Sequence, residues 1–428
     1  MASRSEERAT PMATRLGAGA EESRDADELE PLRRDRGERL RLLDKIGKQR
    51  GSKVIAYVCS DRAPVDYLIN DSDVRVLYDH VRAIAPSRLE ERIDLFLYSE
   101  GGDPDIPWRI VSMLREHAKS IGVLIPYRAS SAATMIVLGV DSLVMTRKAE
   151  LGPIDARLDF RELDPSLGIE VYKSYSVADV LAFSDFVADR VRAAKVPGND
   201  LRGQSIVDAL AALTDEIGPT RLGMIFRTHR HTREIAEQLL DLCKPALSKA
   251  KRKAVIKKLT EGINSHEHGI SRMDARKLDL QVASDDPVLE DDVWRLFERY
   301  EEALRLREPL DPAEELGTNS RVLRLPILDA VVESESLLHA HRRTLEVRRI
   351  PILPSELVIN VSLDPPISAE TIFGLDDARR EAARAEVARF LDQVDARAGA
   401  AAEDALERTV ESRIETKSVG LRWTKVTP

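Results

Sequence analysis

Two short stretches carry residues whose types and spacing could do chemistry. The first, Leu97-Tyr-Ser-Glu-Gly-Gly-Asp103, closes an apolar β-rich run with two glycines. Glycines at a strand end free backbone N–H groups and let a carbonyl approach closely. Such N–H groups can hold the oxyanion of a tetrahedral intermediate. The second, Tyr127-Arg-Ala-Ser-Ser-Ala-Ala-Thr-Met135, runs from a strand through small residues straight into an apolar helix. A serine at that junction, Ser130 or Ser131, sits at the positive end of the helix dipole. The backbone N–H after it can complete an oxyanion hole. Each stretch also has a plainer reading: a strand-end turn for the first, a helix N-cap for the second. Gly139-Val-Asp141 and Leu151-Gly-Pro-Ile-Asp155 follow, and read singly they are structural punctuation.

The elements around these stretches must position them. Val54–Cys59, Ile93–Tyr98, Ile121–Ile125 and Ser142–Met145 read as short strands, and residues 71–84, 107–119 and 131–138 as helices between them. Strand and helix in alternation imply an α/β fold with a mostly parallel sheet. Residues 177–196, 203–222, 224–243 and 248–262 have a helical period and form a helical arm, and 288–308 reads as one more helix. The texture then changes: 322–325, 330–332, 357–362 and 418–426 are strand-like, and 375–412 is a long Ala/Arg/Glu helix. The organisation expected is a disordered tail (1–28), an N-terminal helix (29–50), a catalytic-type domain (51–285), a helical linker (286–317) and an appended C-terminal α+β region (318–428). The 29–50 helix has no obvious partner within the chain, which points to an oligomer.

Taken in order, the four motifs resemble the Clp protease proteolytic-subunit superfamily. Within it they are most similar to the branch called serine dehydrogenase proteinases, relatives of Clp protease and signal peptide peptidase A. The likeness continues through Ile217-Gly-Pro, Arg230–Leu240, Asn264-Ser-His-Glu-His-Gly-Ile270 and Asp274–Leu280, so it covers roughly residues 45–285. The resemblance implies a ClpP/crotonase-like α/β fold of stacked ββα units and peptide-bond hydrolysis through an acyl-enzyme. Aligned on the motif, Ser131 takes the nucleophile position, with Ser130 its competitor one residue away. Gly101 or Gly102, with the amide of Ala132, takes the oxyanion role. The general base departs from the pattern. Clp protease carries a histidine where this chain reads Gly152-Pro153-Ile154. The serine dehydrogenase branch implies the order Ser, Asp, His, which maps onto Ser131, Asp155 and His266, with His268 next but one. Signal peptide peptidase A implies a Ser–Lys dyad, for which Lys173 has a tolerated spacing. A lysine base must be desolvated to titrate near neutrality, and Val171-Tyr-Lys-Ser-Tyr175 supplies apolar and aromatic neighbours.

Composition narrows the remaining classes. A net charge of −9 argues against a general nucleic-acid binder. The basic run Lys249–Lys253 lies in a helical pattern and reads as a solvated face. No window approaches a membrane span, the first residues do not read as a secretory signal, and two distant cysteines, Cys59 and Cys243, suit a reducing compartment. These point to a cytoplasmic address. No phosphate-binding glycine loop is present, so any unfoldase would be a separate protein. His229 and His231 are two apart on a helix and face different ways, so no metal or other cofactor is expected. The partners expected are a peptide or protein substrate and further copies of the chain. Two other functions fit the same residues: an inactive scaffold that kept the fold without its base, and an acyl-CoA enzyme of the crotonase superfold.

Overall fold

The computed structural model describes residues 29–86, 89–155, 157–164, 169–193, 199–260, 269–318, 320–351, scattered positions within 381–393, and 412–427. The expected disordered tail, the strand at 357–362 and most of the 375–412 helix lie outside the described residues. In chain order the helices are α1 (Glu30–Arg34), α2 (Arg36–Arg50), α3 (Asp71–Ile84), α4 (Ile106–His117), α5 (Ala132–Leu138), α6 (Val177–Ala193), α7 (Asn199–Ile217), α8 (Pro219–Leu242), α9 (Lys249–Thr260), α10 (Arg272–Lys277), α11 (Pro287–Ala303) and α12 (Pro312–Leu316). The strands are β1 (Lys53–Cys59), β2 (Glu90–Tyr98), β3 (Ala118–Ile125), β4 (Arg128–Ala129), β5 (Ser142–Met145), β6 (Glu150–Leu151), β7 (Arg157–Asp164), β8 (Ile169–Ser176), β9 (Ile270–Ser271), β10 (Val322–Glu333), β11 (Leu338–Pro351) and β12 (Ser412–Lys425).

Contacts divide the chain into two units: Met1–Leu310 with Pro326–Arg343 and Gly420–Pro428, and Asp311–Leu325 with Thr344–Val419. In the first unit β1, β2, β3 and β5 are parallel neighbours. Their side chains alternate between two apolar layers. Ile55, Tyr57 and Cys59, Ile93, Leu95 and Leu97, and Ile121, Val123 and Ile125 belong to one core. Val54, Ala56 and Val58, Phe96 and Tyr98, and Leu124 belong to the other. A parallel strand buried on both faces must be apolar at nearly every position, which is why these runs read so plainly as strands. Asn70 starts α3 with a reciprocal capping box to Asp73. The mixed α/β fold with a parallel central sheet is thus the one expected.

The C-terminal strands are where the expected organisation fails. The sheet runs β12–β11–β10–β1–β2–β3–β5, and β10 pairs antiparallel with β1, from Ala56 opposite Glu333 to Cys59 opposite Ala330. Ala330, Val331 and Val332 are fully buried. Part of the supposed appendage therefore completes the sheet of the first unit. Residues 286–317 are not simply a linker either, because α11 buries Leu289, Val293, Leu296, Phe297 and Tyr300.

The N-terminal helices do have a partner within the chain. Leu32, Leu42, Leu43 and Ile46 share an apolar layer with Val293, Leu296, Phe297 and Tyr300 of α11. Arg39 is fully buried and pairs with Glu333 at 2.6 Å, and the Tyr300 hydroxyl donates to the same carboxylate at 2.9 Å. The sequence hides this because Leu29 to Ile46 and Leu289 to Tyr300 are two amphipathic stripes far apart in the chain.

The stretch between the fourth motif and α6 forms an antiparallel hairpin of β7 and β8, from Arg157 opposite Ser176 to Asp164 opposite Ile169. Sequence reading left it unassigned. Downstream, the helices break at Gly218 (φ 88°) and Pro219, a few residues before the expected break. The second unit contains α12, started by the Asp311 side chain accepting from Ala313 N, and the ion pairs of Glu346 with Arg324 and Arg348.

Candidate active site

Ser131 occupies the residue just before α5, at φ 49° and ψ −117°. A non-glycine residue at positive φ stores strain and persists only where its surroundings hold it. Here the holding is explicit. Ser131 N donates to Pro153 O at 3.1 Å, Gly152 N donates to Ala129 O at 2.8 Å, and Met135 N donates to Ser131 O at 3.0 Å. Thr134 Oγ1 adds bonds to Ala129 O at 2.8 Å and Gly152 O at 2.9 Å. The motif Leu151–Asp155 is therefore a strap laid alongside residues 129–131, fixing the turn that presents Ser131. The next residue, Ala132, opens the helix, and its N–H has no intrahelical acceptor.

The glycine pair lies directly against this turn. A Cβ added to Gly101 would fall 2.6 Å from Ser131 Cβ, and one added to Gly102 would fall 2.2 Å from Ile69 O. Both glycines sit at positive φ, 111° and 151°. Neighbouring bonds separate their roles. Gly101 N donates to Ser99 Oγ at 3.0 Å, while Gly101 O accepts from Ile69 N at 2.8 Å and Asp103 N donates to Ile69 O at 2.9 Å. The N–H groups of Gly102 and Ala132 make no hydrogen bond with the described residues. Of the two glycines named from sequence, Gly101 has its N–H already engaged and supplies room, while Gly102 keeps an unspent donor.

Ser130 and Ser131 both line a cleft of about 680 Å³, with Gly102, Asp103, Pro153, Asp155, Thr228 and Thr232 among its walls. The two serines differ in setting. Ser130 Oγ packs against Gly152, 2.5 Å from where a Cβ would stand there. Ser131 Oγ makes no hydrogen bond with the described residues and leads the helix.

The residues named as candidate bases fare differently. Asp155 lines the cleft, but its carboxylate accepts from Ser176 Oγ at 2.7 Å and Ala178 N at 2.9 Å, so it also anchors the start of α6. Lys173 is not in the state that a dyad needs. It is half-exposed and ion-paired to Glu162 at 3.0 Å. That hydrogen bond to Glu162, with its charge, holds the ammonium above its ordinary pKa, the opposite of the desolvated lysine required. Its neighbour Ser174, on the other face of β8, is the residue that lines the cleft. Lys173 is therefore corrected to a surface ion-pair residue. His266 and His268 lie outside the described residues.

Residues 31–182 match the family of ClpP-like SDH-type serine proteinases. This is the family that the four motifs resemble. The matched span holds the glycine pair, Ser131 and Asp155, and ends before α8 and before His266. Two archaeal proteins of Methanocaldococcus jannaschii are similar over a longer stretch. Uncharacterized protein MJ1495 is 24% identical over 69% of this chain and 84% of its own length. Uncharacterized protein MJ0137 is 25% identical over 63% of this chain and 80% of its own.

Sequence reading missed the contribution of α8. Thr228 and Thr232 line the cleft, and between them His229 is half-buried, its basicity lowered by burial and by Arg233 and raised by Asp155. The signal was present as a stripe, Ile225, Thr228, His229, Thr232 and Ala236, but periodicity cannot say which cleft a stripe covers. Among the described residues no cluster of three or more metal-ligating side chains forms, and no helix is long and apolar enough to cross a membrane.

Proposed function

We propose that this chain is a serine peptidase that cleaves peptide bonds through an acyl-enzyme on Ser131. The observation that carries it is a strained serine just before a helix start, sharing a cleft with Gly102, with the N–H groups of Gly102 and of the next residue, Ala132, unspent among the described residues. In the reaction Ser131 Oγ attacks the scissile carbonyl carbon while its proton passes to a base. The carbonyl oxygen becomes an oxyanion between the two N–H groups, a kind of stabilisation worth roughly 3 to 4 kcal/mol per donor. The amine leaves with the proton, and water then releases the acyl group by the same route. For the base the reading keeps Ser131, Asp155 and His266 in that order. His229 is the alternative, favoured by its coupling to Asp155.

Labelling by a fluorophosphonate tests the nucleophile. Loss of label in Ser131→Ala with retention in Ser130→Ala is the expected pattern, and an unlabelled, folded wild-type protein would sink the reading. Comparing His266→Ala with His229→Ala assigns the base, since the true one should slow labelling by about 10²–10⁴-fold. A second reading, a scaffold without catalysis, is favoured by the lack of any hydrogen bond from Ser131 Oγ among the described residues. Turnover of casein or short peptides that disappears in Ser131→Ala would end it. Stabilisation by coenzyme A thioesters in a thermal-shift assay would instead favour the acyl-CoA alternative. Self-assembly is part of the proposal, now supported by exposed Phe186, Val207, Leu210, Met224 and Phe226 on α6–α8 rather than by residues 29–50.

A further inference from the structure

The charge around Ser131 is one-sided. The cleft is lined by five carboxylates, Asp66, Glu100, Asp103, Asp155 and Asp159, and among its described walls there is no lysine, arginine or histidine. Three of the five are spoken for. Glu100 pairs with Arg128 at 2.8 Å, Asp103 accepts from Asp105 N at 2.9 Å, and Asp155 holds the start of α6. Asp66 and Asp159 have no side-chain partner among the described residues. The Arg343 guanidinium donates to the backbone carbonyl of Asp66 at 2.9 Å and is ion-paired with Asp329. A second, independent feature comes from α8. Thr232 is 3% exposed, and its Oγ1 is buried with no hydrogen-bond partner. A buried hydroxyl left unpaired costs free energy, and the cleft it lines is where a ligand can repay it.

We infer that the cleft selects cationic peptides, with a lysine or arginine side chain next to the scissile bond held between the Asp66 and Asp159 carboxylates and the Thr232 hydroxyl. An ammonium or guanidinium offers several N–H donors and no acceptor, which suits two carboxylates and one hydroxyl oxygen. Clefts lined by one sign of charge focus the field and concentrate ligands of the other sign. The inference rests on the peptidase reading for its substrate, but charge selection can be measured without catalysis.

The test uses the full chain carrying Ser131→Ala and three matched fluorescent peptides that differ in one residue: lysine, norleucine or glutamate. Anisotropy should show the lysine peptide binding about tenfold or more tighter than the glutamate peptide at low salt, with the gap narrowing as salt is added. Asp66→Asn and Asp159→Asn should each lower the lysine-to-norleucine affinity ratio about two- to fivefold. Thr232→Val should lower the same ratio, and Thr232→Ser should restore it. Equal binding of the three peptides, preference for glutamate, or no binding of any of them overturns the inference. Fluorophosphonate labelling of wild type keeps the two readings apart. Labelling without basic preference removes only the charge selection, and basic preference without labelling removes only the hydrolase.

Discussion

Ser131 is held where an L-residue is uncomfortable, at φ 49°, and that strain is of order 1–3 kcal/mol. Ser131→Gly should relieve it and raise the stability to urea by about 1 kcal/mol while abolishing labelling, the trade of stability for function seen at strained sites. No gain in stability would mean that the turn stores nothing. Gly102 predicts the reverse. A Cβ there would stand 2.2 Å from Ile69 O, which is backbone and cannot swing away, so Gly102→Ala should cost about 1–3 kcal/mol in the same denaturation and lose labelling too. His80 links residue chemistry to pH. It is buried, bonded to Ser334 Oγ at 2.8 Å and His339 Nδ1 at 2.9 Å, and burial followed by the charge of His339 lowers its pKa from 6.5 to about 3. Below pH 6.5 the unfolded imidazole takes up a proton that the folded one refuses, so stability is lost as pH falls from 6.5 toward 3. From pH 6.5 to pH 5 this one group should remove about 2 kcal/mol. Urea midpoints across that range check it, and His80→Gln should flatten the curve.

Between elements, the Arg39–Glu333–Tyr300 cluster joins α2, β10 and α11, with both charged side chains fully buried. Removing Arg39 leaves the buried Glu333 carboxylate with Arg36, at 3.4 Å, as its remaining charged partner, so Arg39→Ala should cost about 3 kcal/mol, the low end for a broken buried pair. The double change Arg39→Met with Glu333→Leu should recover much of that loss, because desolvation of the pair is avoided. A double variant as unstable as the single would show that the pair's geometry, not its charge balance, is what matters. The hairpin β7–β8 shows why one element escaped sequence reading. Leu158 and Phe160 alternate with Arg157, Asp159 and Arg161, a strand period, yet the run is as charged as a loop. It contributes Leu158, Asp159 and Ser174 to the cleft, while Lys173, opposite Phe160 in the register, pairs with Glu162 instead.

At the scale of the molecule, the expected self-standing domain at 51–285 omits strands that the sheet needs. Without β10, β1 becomes an edge, and both apolar layers open, one losing Ala330 and Val332 and the other Val331. A chain ending at residue 310 should therefore be aggregated or molten by circular dichroism and size exclusion, and a clean cooperative melt would contradict this. Assembly is a separate question. Light scattering on the intact chain should give a multiple of the monomer mass of 47.8 kDa, and Phe226→Glu on the exposed face of α8 should lower that multiple.

How much was legible depended on the range of the interactions. The strands β1, β2, β3 and β5 and the helices between them were plain, because burial on both faces forces an apolar run whatever the neighbours are. The positive φ of Gly101 and Gly102 was also legible, since glycine is the residue that takes such a backbone without strain. Three things required the tertiary structure. Which glycine keeps a free N–H depends on whether Ser99 Oγ reaches Gly101 N, a side-chain rotamer no motif encodes. Whether Lys173 is a base or an ion-pair partner depends on Glu162 across a hairpin. The closing of the sheet by β10 depends on a strand more than 260 residues from β1 in sequence. Local sterics are written in residue type and spacing, whereas charge environment and long-range pairing exist only once distant segments share one volume.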